Sequence, residues 1–350
     1  MTRKHETTAI ATKMSTQAIS LVVIALMLTM VGVADASSLV NGGVYEGAIS
    51  LPGQRDSHTF TASAGESIII QVADTDGSSF RPQVWLYGPA GNYITGNHDS
   101  NVARISRTVQ DSGTHTVVVS DYHDHYTGNY NIYFAHLPGA SDGGELPSGG
   151  FVADTVELGD LDSYTFDASA GESVIIQVAD TDGGSFRPQV WLYGPSGNYI
   201  TGNHDSNVAR ISRTIQENGT YTVVVFDYYG DYTGNYDIYF SHLPGANDGG
   251  QLHSGDQIAA SIDLGDLDSY TFDAIVGATL DIQVADTDGS SFRPQIWLYG
   301  PAGNYITGHH GTNVAHINRT AKESGTYTVV VMDYYGDYTG AYKISFKHTW

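Results

Sequence analysis

The segment QVADTDGSSFRPQVWLYG, at 71–88, sets two carboxylates, Asp74 and Asp76, one residue apart beside a glycine and just before an aromatic stretch. It returns nearly unchanged at 177–194 and 283–300, carrying Asp180 and Asp182, then Asp286 and Asp288. A further acid follows in every copy, Asp121, Asp227 and Asp333, and another in two of them, Asp99 and Asp205. Ca2+ takes about six to eight hard oxygen ligands of this kind from Asp, Asn and backbone carbonyls. The other reading is that each Asp makes an Asx-turn and faces water. An EF-hand does not fit, because D-x-D-G lacks the third oxygen residue before the glycine and the distal Glu. In the third copy Gly311 replaces Asp99 and Asp205, so that copy is expected to bind cations less well.

His98, His123 and His125 lie beside these acids and offer zinc-type nitrogens, but their spacing is not shared by all three copies, which favours solvated loop histidines. Trp85, Trp191 and Trp297, each followed two residues later by Tyr87, Tyr193 or Tyr299, alternate with aliphatic residues. The rings therefore lie on the face opposite the aliphatic pair. Two roles fit them: packing against a neighbouring unit, or a platform for sugars or a protein ligand. Tyr122, Tyr126 and Tyr130, with Tyr228 and Tyr334 in the other copies, add amphipathic contact surface near the acidic loops. Asp56, Asp162 and Asp268 precede an aromatic strand and read as turn caps.

Catalytic signatures are missing. No G-x-S-x-G elbow, H-E-x-x-H, P-loop or G-x-G-x-x-G before a helix occurs, and no Ser, His and Asp are spaced as a triad. The sequons at Asn218 and Asn318 are short enough to arise by chance.

The elements that must position these side chains come in triplicate. FRPQVWLYG starts at Phe80 and Phe186, and FRPQIWLYG at Phe292, so both steps are 106 residues. That period suits an independent domain rather than a solenoid repeat. The units span 38–139, 147–245 and 253–350, joined by the Pro/Gly/Asp segments LPGASDGGELPSGG and LPGANDGGQLHSGD. Within a unit the hydrophobic period is two. In the first, strands are expected at 44–50, 57–62, 68–73, 83–88, 92–96, 102–108, 114–120 and 128–135. No helix is expected after residue 36, and eight short strands in about 100 residues predict an all-β antiparallel sandwich, jelly-roll-like, in tandem.

GDLDSYTFDASAGESVIIQV, then WLYGPSGN, then NGTYTVVV…YTGNYDIYF resembles the bacterial pre-peptidase C-terminal domain. The resemblance runs through all three units. It implies jelly-roll-like modules appended to secreted enzymes, often peptidases, with calcium-dependent collagen-binding modules among the relatives.

Alternating strand direction puts every second connection at the same end of a sandwich. In the first unit the plain turns 63–67, 89–91 and 109–113 share one end. The connections 74–82, 97–101 and 121–127 share the other, gathering Asp74, Asp76, Asp99, Asp121 and the three histidines. Loops at one end of a rigid sandwich are where binding concentrates.

The formal net charge of -23 follows from 38 acids against 15 bases, and 30 of those acids are Asp, a turn and loop residue. Such a surface repels nucleic acid and anionic lipid and attracts cations. The absence of cysteine excludes disulfides, thiolate metal sites and cysteine nucleophiles. Arg3, Lys4 and Lys13, the apolar run 18–33 and Ala34-Asp35-Ala36 read as a signal peptide over 1–36, with a retained anchor as the alternative. The run is shorter than the ~20 residues a spanning helix needs.

Taken together, the sequence predicts a secreted, non-catalytic array of three modules with no membrane span after signal cleavage. Its expected partner is an extracellular polysaccharide or a matrix or surface protein, with Ca2+ ordering the acidic end. The rival expectations are a surface-layer or matrix spacer and a targeting subunit for a separate peptidase.

Overall fold

The computed structural model describes residues 37–349; the expected signal peptide lies outside them. In the first unit the strands are β1 (Ser37–Ser38), β2 (Gly43–Ile49), β3 (Arg55–Ala62), β4 (Ser67–Asp74), β5 (Pro82–Tyr87), β6 (Tyr93–His98), β7 (Val102–Thr108), β8 (Gly113–Asp121) and β9 (Gly128–Leu137). One sheet runs β2-β9-β4-β7 and the facing sheet β1-β3-β8-β5-β6. The second unit (β10–β18, 144–243) and the third (β19–β27, 250–349) repeat this order. The tandem β-sandwich expected from the two-residue period is therefore the observed architecture, with all eight expected strands of the first unit present. In the second unit β10 (Gly144–Glu145) adds a short parallel pairing to β12 (Asp162–Ala168).

Inward side chains build one core per unit. In the first, Phe60, Ile68, Ile70, Val72, Val84, Leu86, Val117 and Ile132 close together between the sheets. β4 reads SIIIQVAD and is buried at every position, which an ordinary sandwich strand with one wet face is not. Its outward residues Ile69 and Ala73 belong to a separate cluster shared with the second unit. Tyr133, Ala135 and Leu137 of the first unit join Leu161, Tyr193, Val224 and Phe226 of the second there. Ile175, Tyr239 and Leu243 meet Leu267, Tyr299, Val330 and Met332 in the same way at the next junction. The four-stranded sheet of one unit thus packs on the five-stranded sheet of the next. Gly197, at φ +78°, sits so close that an added Cβ would lie 2.0 Å from the carbonyl oxygen of Leu137.

A polar lock runs through each apolar seam. Arg104 donates from Nε to Gln71 Oε1 (2.8 Å) and from Nη2 to the carbonyl of Asp227 (3.0 Å) in the following unit. Gln71 donates onward to the carbonyl of Asp160 (3.1 Å). Arg210 makes the equivalent bonds to Gln177 (2.6 Å) and the carbonyl of Asp333 (2.9 Å). Burial pulls Arg104 down to about 10, offset by Asp227 and Asp231, so it stays charged at neutral pH. Because both junctions use the same contacts, the second step along the array repeats the first.

The two outermost sheet faces are chemically different from the joined ones. At the first unit's free face Arg55 stands where Leu161 and Leu267 stand at the junctions, and Ser120 where Phe226 and Met332 stand. Arg55 lies 4.5 Å over the Trp85 ring and pairs with Asp124 at 3.2 Å. At the third unit's free face Asp281 replaces Ile69 and Ile175, His316 replaces Arg104 and Arg210, and Lys347 replaces Ala135 and Ser241. Asp281 and His316 pair with each other at 2.9 Å. The strand carrying Asp281, TLDIQVAD, then recovers the alternation of a half-buried strand. Polar outer faces are how stacked repeat arrays end.

Candidate functional site

The acidic end of each sandwich forms as strand parity predicts: Asp74 N–H bonds the carbonyl of Asn101 (2.9 Å), and Tyr122 N–H that of Arg81 (2.9 Å). The carboxylates at this end are engaged by the backbone. Asp121 accepts Arg81 N–H through Oδ1 (3.0 Å), and through Oδ2 the N–H groups of His123 (3.1 Å), His125 (2.9 Å) and Tyr126 (3.2 Å). Asp227 and Asp333 hold the same loop, accepting from Arg187 and Gly230, and from Arg293 and Gly336. Asp76 accepts Ser78 and Asn129 N–H groups; Asp182 accepts Gly184 and Asn235; Asp288 accepts Ser290 and Ala341. Asp74, Asp180 and Asp286 each accept the N–H two residues on. Asp99 and Asp205 fold back onto Ser100 and Ser206.

Titration follows these contacts. Burial pushes Asp74 up to about 6 and also raises Asp180. N–H donation from Asn129 and Asn235 holds Asp76 and Asp182 below the usual range, and Asp288 falls to about 2 in the same way. Among the described residues no three Asp, Glu or His side chains converge as a metal would require. The carboxylates of the expected calcium set close turns, because an isolated N–H in a loop is costly to leave bare. Asp56, Asp162 and Asp268 do not cap turns either. They accept the hydroxyls of Tyr130, Tyr236 and Tyr342 (2.8, 2.7 and 2.5 Å), which makes Tyr130 a core anchor rather than ligand surface.

What the acidic loops do present is a stack of rings. His98 lies flat on Tyr122 with centroids 3.7 Å apart and planes within 5°. His204 lies on Tyr228 (3.8 Å, 13°) and His310 on Tyr334 (4.0 Å, 21°). Tyr229 and Tyr335 stand edge-on to the stacked tyrosines at 4.8 and 4.7 Å, with Arg187 and Arg293 over their outer faces; His123 takes the edge position in the first unit. Tyr122, Tyr229 and Tyr335 are 39%, 53% and 51% exposed. The turn locked by Asp121 or its counterpart fixes the backbone beneath each stack. The stack was visible in the sequence as one histidine recurring at the 106-residue step, His98, His204 and His310.

The strand aromatics divide by position. Tyr193 and Tyr299 are buried in the junction clusters, so at those two positions packing against the neighbouring unit is the observed role. Trp191 and Trp297 are half-buried at the junction rims, and Trp191 is held edge-on by Phe226 at 4.6 Å. Trp85 and Tyr87 face outward, with Arg55 laid on Trp85. Sequence reasoning missed Arg104, Gln71 and Phe226. The signal was the pattern of differences between units, which falls on one face of the first and one face of the last.

No family model matches the chain, and no curated protein matches it. Among solved structures, the pre-peptidase C-terminal domain of a collagenase from Bacillus anthracis is 25% identical, covering 28% of this chain and 93% of its own, with a TM-score of 0.25. A periplasmic inhibitor of g-type lysozyme from Aeromonas hydrophila is 13% identical over 28% of this chain and 94% of its own, at 0.24. The M60 catalytic domain with two CBM51 domains from Clostridium perfringens ZmpB is 8% identical over 85% of this chain and 34% of its own, at 0.20.

Proposed function

We propose that this chain is a secreted, non-catalytic array of three β-sandwiches that displays the stacked His–Tyr surface three times to an extracellular polymer with a repeating chemistry. The observation that carries the reading is the recurrence of one stack, His98–Tyr122, His204–Tyr228 and His310–Tyr334, on equivalent loops, with its histidine exposed in every unit. Flat, pre-ordered rings bind with little loss of side-chain freedom. Similar junctions hold the sites in one array, and linked weak sites gain affinity through effective concentration. The loop carboxylates, being engaged by backbone N–H groups, support positioning of this surface rather than acid–base work. Secretion is supported by the leader-like sequence at 1–36. The test is a screen of immobilised polysaccharides and matrix proteins with the intact chain. Binding should weaken stepwise as Tyr122→Ala, Tyr228→Ala and Tyr334→Ala are combined.

A further inference from the structure

The two sheets of each sandwich leave an open side between edge strands, which in the third unit are β24 (Tyr305–His310) and β25 (Val314–Thr320). At the turn-bearing end of that side the third unit holds a cleft of about 440 Å3, floored by Leu280, Leu298, Ala321 and Tyr327. The matching cleft of the second unit measures about 240 Å3. Small-molecule sites occupy about 300–1,000 Å3, so of these two only the larger reaches that range.

Two residues set the third unit apart. Ala321 stands where Val109 and Ile215 stand in the other units, and Lys322 where Gln110 and Gln216 stand. The smaller floor residue makes room, and the apolar lining is correspondingly bare. Ile94 and Ile200 pack against their own cores, whereas Ile306, at the same position in the third unit, borders the cleft and is 40% exposed.

Cations stand at the mouth. Arg319 pairs across the ladder with the core residue Leu280, so its side chain leaves β25 on the face that looks into the sandwich. Its Nη2 donates to Thr307 Oγ1 on β24 at 3.4 Å, which carries the guanidinium across the open side. Lys322 follows in the turn after β25 and also lines the cleft. Neither cation enters an ion pair among the described residues, and the acid in the lining is Glu323. The Tyr327 hydroxyl is engaged by the main chain of Glu323, donating to its carbonyl (2.8 Å) and accepting its N–H (3.3 Å). A hydrocarbon floor under two cations matches a carboxylate on an apolar body. The acid group takes charge-assisted N–H bonds at the mouth, and the hydrocarbon leaves water against the floor.

We propose that the third unit's cleft binds a small amphipathic carboxylate, its acid group at Arg319 and Lys322 and its hydrocarbon on Leu298, Ala321 and Tyr327. The other two units carry a larger floor residue and no Lys, so three units make one site.

Octanoate is the probe. Calorimetry of the intact chain should find one site, with 1-octanol and acetate each bound about tenfold more weakly or worse. In spectra of the chain with labelled isoleucine methyls, Ile306 should move on adding octanoate while Ile94 and Ile200 stay in place. Ala321→Ile should remove binding, and Lys322→Gln should weaken it severalfold. Both install the residue that the second unit already carries, so the melting temperature should hold. Equal affinity for octanoate and 1-octanol would overturn the role of the cations. Absence of binding, equal movement of all three isoleucines, or wild-type affinity in Ala321→Ile would overturn the site. None of these results bears on the His–Tyr stacks, which lie at the opposite end of the sandwich.

Discussion

The guanidinium of Arg104 donates to the main-chain carbonyl of Asp227, 123 residues further along the chain, at 3.0 Å. That bond, and its copy from Arg210 to Asp333, turns three similar sandwiches into one array. Arg104→Met keeps the length and apolar stem of the side chain but leaves Gln71 Oε1 and two carbonyls short of a donor. The expected cost is about 2–3 kcal/mol, confined to the first junction. Hydrogen exchange should rise in β7 and around 226–228 while the strands within 250–349 stay protected. Uniform loss of protection would place the arginine's role elsewhere.

The intact chain should sediment as a monomer, because neither outer face matches the faces that join. Restoring the junction residues, Arg55→Leu and Ser120→Phe at one end with Asp281→Ile, His316→Arg and Lys347→Ala at the other, should produce concentration-dependent head-to-tail chains. Sedimentation velocity reads this directly. A variant that remains monomeric would show that the free faces differ from the junctions in more than these side chains.

Thermal stability should peak in mildly acidic buffer. Burial raises Asp162 to about 8 and Asp268 to about 7, and Asp160 and Asp266 to about 6. An Asp that keeps its proton in the fold but loses it in the unfolded chain weakens the fold as pH climbs from its ordinary value, ~4, toward its folded value. Melting temperature should therefore fall between about pH 5 and 8. Below ~4 the opposite limb appears, because Asp76, Asp121 and Asp182 are held low by N–H groups and lose that stabilisation on protonation. Asp160→Gln with Asp266→Gln, the residue type the first unit carries at Gln54, should flatten the alkaline limb. An unchanged slope would assign it to other groups.

Melting in EDTA and in millimolar Ca2+ should coincide, since the loop acids are engaged by backbone N–H groups. Asp121→Ala should instead lower stability by about 3 kcal/mol in either buffer, having stripped four N–H groups of their acceptor. A calcium-dependent rise in melting temperature that Asp121→Ala abolishes would restore the metal reading.

The strands and the two unlike ends of each sandwich were legible in the sequence, because a period of two and Gly/Asp punctuation are local signals. The Asp side chains fitted both a ligand and an Asx-turn reading, because sequence shows an oxygen without showing the N–H it accepts; Asp121 and its four donors illustrate this. The junctions were hidden because Ile69, Arg104 and Trp191 act on a neighbour about 100 residues away. Only comparison of the units with one another, Ile69 with Asp281 or Arg104 with His316, exposes the faces that join.

The claim that the His–Tyr stacks are the polymer-binding surface is tested most directly by one comparison on immobilised polysaccharides and matrix proteins. The intact chain is set against the variant carrying Tyr122→Ala, Tyr228→Ala and Tyr334→Ala. The expected result is binding of the intact chain to at least one polymer and a loss of about tenfold or more in the variant, whose truncated rings belong to none of the apolar clusters and leave the fold intact. Equal binding by both proteins, or none by either, would contradict the account.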